Sequence, residues 1–154
     1  MEKSRIAVLH EATVGLPYPL AFPSILKAAW RREFSAQHDA WTPSNPALGQ
    51  CAITALLVQD KFGGEILRAV ISEKLGSHYW NRIGGQELDY TRSQFPAETV
   101  IPPGQLVDRV YILESERAVA AGTPERYQLL CDSFRRVEEM LADYRTRLKS
   151  QTPT

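Results

Sequence analysis

The chain has 154 residues, 44% hydrophobic and 23% charged, which is about one domain's length and enough to bury a core without disulfides or metals. Lys plus Arg and Asp plus Glu both total 18, so no net field favours nucleic acid or an anionic membrane surface. No stretch approaches the roughly 20 apolar residues of a membrane span, and the apolar run Ile6 to Leu9 is too short for a signal peptide. The expectation is a single cytoplasmic domain over residues 1–154, with neither nucleic-acid nor membrane partner.

Residues 1–23 read as an irregular lead-in, with a strand-like run at Ile6 to Leu9 followed by Gly15, Pro17, Pro19 and Pro23. The domain proper is expected over 24–149. Ser24 is a candidate N-cap, and Ile25, Ala28, Ala29 and Arg32 fall on one helical side, predicting a helix to about Ala36. From Gln37 to Gln50 the prolines, Asn45 and Gly49 mark a loop, and Trp41 and Leu48 give it something to bury.

A helix begins near Cys51 and is apolar on nearly every side from Ala52 to Val58, as expected of a central helix, until Gly63-Gly64 stops it. Ile66 to Ser72 reads as a strand. Tyr79 to Ile83 and Gln86 to Thr91 flank the two-residue turn Gly84-Gly85 and read as a hairpin. Val107 to Val119 reads as a shorter helix. Thr123 and Pro124 then open a long amphipathic helix with Tyr127, Leu130, Cys131, Phe134, Val137, Leu141, Tyr144 and Leu148 on its stripe. Its arginines and Lys149 read as a solvated face.

Of the two cysteines, Cys131 suits a buried small hydrophobe. Cys51 stands in the first turn of its helix, where unpaired N–H groups and the positive dipole end favour thiolate over thiol. A two-residue turn pairs Ile83 with Gln86, Asn81 with Leu88, Trp80 with Asp89 and His78 with Thr91. Side chains alternate along each strand, so His78, Trp80 and Arg82 share a face with Glu87, Asp89 and Thr91. His78 and Asp89 become diagonal neighbours roughly 7–8 Å apart between backbones, a gap that two inward-leaning side chains close. The carboxylate would fix the imidazole's tautomer and leave its other nitrogen for sulfur. Asn81 faces away, and Trp80 shields the pair from water.

Gly49-Gln50-Cys51-Ala52, His78-Tyr79-Trp80-Asn81 and Asp89-Tyr90-Thr91 resemble the nucleophile, base and acid segments of papain-like and transglutaminase-like thiol enzymes, in the same order. That resemblance implies an α+β fold in which a central helix headed by the nucleophile, here Cys51, packs on a small antiparallel sheet. Together with Asn45-Pro46, Phe62-Gly63-Gly64-Glu65-Ile66 and Gln94-Phe95, these segments look like the bacterial YunG family over about residues 24–145. Papain-like enzymes place a glutamine several residues before the cysteine and an asparagine third. Here Gln50 is adjacent to Cys51 and the third member is Asp89, which leaves backbone N–H groups at the helix start, including that of Cys51, as the oxyanion donors.

The expectation is a cysteine-dependent acyl-transfer enzyme acting on a small-molecule or peptide amide or thioester, with Cys51, His78 and Asp89 catalytic. Gln50, Asn45, Trp41 and Trp80 are weaker candidates for the oxyanion or substrate site, and Tyr79 for the cleft lining. The same three catalytic residues also suit zinc, but no Cys-x-x-Cys or His-x-x-x-His accompanies them, and no Gly-rich phosphate loop is present. No metal or cofactor is expected. The competing readings are a papain-like scaffold that binds a small molecule or peptide without chemistry, and a protein that docks a partner through its C-terminal helix.

Overall fold

A computed structural model describes residues 2–151, with side chains from Arg5 onward; Met1 and residues 152–154, the ends of the expected 1–154 domain, lie outside the described residues. The chain divides into two compact units, residues 1–30 with 131–154, and residues 31–130. Its architecture is α+β, with one antiparallel sheet and a long C-terminal helix.

The first unit corrects the expected irregular lead-in, because residues 2–13 and 18–29 are helical. Helix α1 (Glu2–Thr13) buries Ile6, Leu9 and Thr13. Those positions recur at spacings of three and four, so the run Ile6 to Leu9 is one helical turn and not a strand. Helix α2 (Tyr18–Ala29) starts after Pro17, six residues before the expected N-cap Ser24. Pro19 sits in its first turn, where a missing N–H costs nothing, and Pro23 is accommodated within the helix. Its buried stripe is Ala21, Phe22, Ile25, Leu26 and Ala29. It stops at Ala29 because Trp30 is extended, and residues 32–34 form a separate 3-10 turn in place of the expected continuation to Ala36. Phe22 packs on Phe134 with ring centroids 5.3 Å apart, and Ser133 Oγ donates to the Ala29 carbonyl at 2.7 Å. Both contacts involve the distal part of helix α6 (Thr123–Ser150).

In the second unit, helix α3 (Cys51–Phe62) has the predicted limits, with Gly63 in the left-handed region after it. Strands β1 (Glu65–Ser72), β2 (Gly76–Ile83), β3 (Gln86–Leu88) and β4 (Gln105–Val107) form a sheet of order β3-β2-β1-β4. The register pairs Ala69 with His78 and Ile66 with Asn81. Beyond the Gly84-Gly85 turn, Ile83 pairs with Gln86 and Asn81 with Leu88, as expected. The ribbon ends there, however, and the expected Trp80–Asp89 and His78–Thr91 rungs do not form.

Residues 107–119 are not one helix. Val107 closes β4 opposite Ile66. Asp108 and Ser115 each cap a short helix, α4 (Arg109–Glu114) and α5 (Glu116–Ala120), by accepting from Val110 N and Ala118 N. Two caps so close together favour two helices over one.

One face of the sheet is covered by α3. Ala55 and Leu56 pack with Ile66 and Ile112, Tyr79 joins them, and Asn81 Nδ2 donates to the Ala55 carbonyl at 3.0 Å. Leu67, Ala69 and Trp80 pack on Ile101 on the other side. Gly104 fits there because a side chain would strike the Trp80 ring and Leu67. Arg109 bonds to Leu56 O, Gln59, Asp60 and Tyr127, tying the end of α3 to α4 and to the start of α6.

Candidate active site

Gln50 serves as N-cap through its backbone, so the first regular helical bond of this turn runs from Thr54 N to Gln50 O, at 3.0 Å. Cys51 follows as the first helical residue, half-buried and with a free thiol. The N–H groups ahead of Thr54 lie in the first turn, where a helix supplies no acceptor. The loop reaches this point through Gly49, which has a φ of +72° and lies so close to Ser35, Ala36 N and Gln37 N that no side chain fits. Ala36 N donates to Gly49 O, and Ser35 Oγ to Leu48 O.

His78 is fully buried. Its Nε2 lies 2.6 Å from Asp89 Oδ2, its ring stacks on Trp80 at 5.4 Å, and Phe95 meets it edge-on at 4.9 Å. Asp89 belongs to a loop beyond β3. Its other oxygen accepts from Thr91 N at 3.2 Å and Thr91 Oγ1 at 3.4 Å, a local turn that aims the carboxylate back at the imidazole. Trp80 is held in place by donating from Nε1 to Glu87 at 2.6 Å.

The ring nitrogen facing away from Asp89, Nδ1, is buried and has no hydrogen-bond partner among the described residues. Burial opposes charge on the ring, but the Asp89 hydrogen bond and then Cys51 outweigh it, and the His78 pKa is pushed up to about 9. Cys51 thus acts on the imidazole electrostatically, although no hydrogen bond joins its sulfur to Nδ1.

A cleft of about 200 Å³ opens beside Cys51, lined among others by Gly49, Ser77, Tyr79, Gln94 and Arg126. His78 stands behind this wall and is not part of the lining. Gln94 went unnoticed as a functional residue in the sequence. Its Oε1 accepts from Gly49 N at 3.3 Å, while its Nε2 is buried without a partner. A glutamine before a phenylalanine in a loop carries no pattern marking it as a donor; only the fold brings it to the sulfur's cleft.

Of the weaker candidates, Gln50 is fully buried and spends its Nε2 on Arg31 O at 3.0 Å. Asn45 Nδ2 donates to the Gln94 carbonyl at 3.4 Å, and Trp41 Nε1 to the Pro46 carbonyl at 3.0 Å. These two shape the loop, Trp80 supports His78, and none of the four lines the cleft. Tyr79 does line it. Among the described residues no group of His, Cys, Asp or Glu is placed to hold a metal ion, and no helix is long and apolar enough to cross a membrane.

By fold and site this is an α+β protein with a cysteine at the start of a helix and a buried histidine–carboxylate pair. The chain belongs to the YunG family, whose model, described as YunG protein, matches residues 19–139. The Bacillus subtilis (strain 168) relative named "Uncharacterized protein YunG" is 36% identical over 113 residues, covering 73% of this chain and 87% of that protein. No solved structure matches the chain.

Proposed function

We propose that the protein is a cysteine-dependent acyl-transfer enzyme with a papain-like or transglutaminase-like arrangement of Cys51, His78 and Asp89, acting on a small-molecule or peptide amide or thioester. The observation that carries this reading is the orientation of His78: Asp89 holds Nε2, and Nδ1 is left without a partner on a ring that Cys51 acts on. Cys51 reacts as the thiolate of an ion pair whose proton already rests on His78 Nδ1, and the sulfur forms a bond to the substrate carbonyl carbon. The carbonyl oxygen gains the displaced electron pair and is met by Gln94 Nε2 and the Cys51 N–H. As the carbonyl reforms, the bond to the leaving nitrogen or sulfur breaks, and that atom takes the proton from His78. A water or amine then gives its proton to Nδ1, attacks the thioester carbon and releases Cys51.

Intact mass spectrometry after exposure to a panel of amides and thioesters should trap an acyl adduct on Cys51, absent in Cys51→Ala. Iodoacetamide should alkylate Cys51 at pH 7 markedly more slowly in His78→Ala. An alkylation rate indifferent to His78, with no adduct from any donor, would overturn the proposal.

The position of His78 behind the cleft wall favours a second reading, in which the papain-like scaffold binds a small molecule or peptide without chemistry. Under it, Cys51→Ala retains full ligand affinity and biological activity.

A further inference from the structure

The charge lining the cleft is one-sided. Arg126 and Arg117 line it, and no described lining residue is acidic. A third arginine, Arg68, stands behind the wall and donates to Ser77 Oγ at 2.7 Å. Four arginines elsewhere in the chain meet carboxylates: Arg109 pairs with Asp60, Arg82 with Glu65, Arg135 with Asp132 and Arg147 with Asp143.

Arg126, like Arg92, is held by neutral acceptors instead, but it alone of the two lines the cleft. Its Nε donates to Ala121 O, Nη1 to Phe34 O and Nη2 to Thr123 Oγ1, each at 3.2 Å. These three acceptors are neutral, so they fix the guanidinium plane without cancelling its charge. Five N–H groups are available on a guanidinium, and the remaining two have no partner among the described residues. Arg126 and Cys51 line the same cleft; burial lowers the Arg126 pKa and its interaction with Cys51 raises it. A half-buried, oriented cation with neutral partners is a pre-formed fork for a planar anion. The small volume brings any such anion close to the sulfur.

We infer that the cleft selects substrates bearing a carboxylate next to the reacting carbonyl, with Arg126 as the specificity residue and Arg117 assisting at the rim. This inference rests on the acyl-transfer reading for the word substrate, but the anion preference can be measured without turnover. Iodoacetate and iodoacetamide are charged and neutral probes of one chemistry. Their rates at Cys51, read by peptide mass spectrometry, give a ratio to compare with that of glutathione.

In the wild type the iodoacetate-to-iodoacetamide ratio should exceed that of glutathione at least tenfold. Arg126→Gln should bring it to within about twofold of glutathione, Arg126→Lys should keep part of it, and Arg117→Gln should lower it less. Circular dichroism establishes that each variant is folded. A wild-type ratio equal to that of glutathione would overturn the inference. So would a preference that survives Arg126→Gln but vanishes in His78→Ala, since the imidazolium would then be the selector. Loss of acyl transfer from every donor with the ratio intact would sink the enzyme reading and leave the anion site standing. Among thioesters, succinyl thioesters and butyryl thioglycolate, compared with a butyryl methyl thioester, distinguish a carboxylate on the acyl side from one on the leaving group.

Discussion

Asp89 Oδ2 stands 2.6 Å from His78 Nε2 although the two residues do not face each other across a strand ladder. The ribbon ends at Leu88, and Asp89 reaches the imidazole from a loop closed by Thr91. Asp89→Asn keeps the shape but replaces an acceptor-only group with an amide. It should lower the His78 pKa and cut acyl transfer by at least about 100-fold. NMR titration of the ring together with turnover on the best thioester checks both effects, and Thr91→Val should produce a milder version of each.

The same pair sets a pH dependence of folding. With the His78 pKa near 9 in the folded chain against 6.5 for the free side chain, its contribution is complete below about pH 6.5 and disappears as pH rises through 9. The unfolding free energy from urea titrations should therefore decline between pH 6.5 and 9.5, by an amount of order a few kcal/mol. His78→Gln should be less stable at pH 6.5 and lack this decline.

Gln94 should separate catalysis from folding. Gln94→Glu retains an oxygen for Gly49 N but offers no amide hydrogens to an oxyanion. Its kcat should fall by about 10²–10³-fold with KM little changed. Gln94→Ala should lose as much activity and about 1 kcal/mol of stability in addition, from the missing acceptor. Steady-state kinetics and thermal unfolding of both variants decide this.

Gly49 holds the approach to Cys51. Its positive φ and its contacts with Ser35, Ala36 and Gln37 leave no space for a methyl group, so Gly49→Ala should cost about 2–4 kcal/mol. Gly84→Ala is the control: its φ is also positive, but nothing lies within 4 Å of the added carbon. It should cost only the backbone strain, about 1–2 kcal/mol. Denaturant unfolding of both variants tests the difference.

How much of this was legible in the sequence varied with the range of the interaction. The limits of α3 and α6 and the Gly84-Gly85 turn follow from local signals, namely a loop before Cys51, Gly63 after Phe62, Thr123-Pro124, and paired glycines. The helices α1 and α2 were hidden because their prolines suggested broken structure, whereas Pro17 and Pro19 sit at a helix start and Pro23 is tolerated inside. The His78–Asp89 pair was expected across a ribbon drawn too long; the hydrogen bond forms, but Asp89 makes it from a loop beyond Leu88 and not from a shared strand face. Gln94 and Arg126 were not visible, because their roles depend on loops and helix starts that meet only in three dimensions.

Both margins of the sheet are strands of three residues, Gln86–Leu88 and Gln105–Val107. So short a row offers an incoming chain few backbone bonds, and the residues that continue beyond each row turn away into loop or helix. The longer β1 and β2 pair with each other along their length, but each meets its margin strand over three residues only. A second copy stacking edge to edge through either margin strand therefore meets a template of only three residues, even though Leu106 on one margin is exposed and apolar.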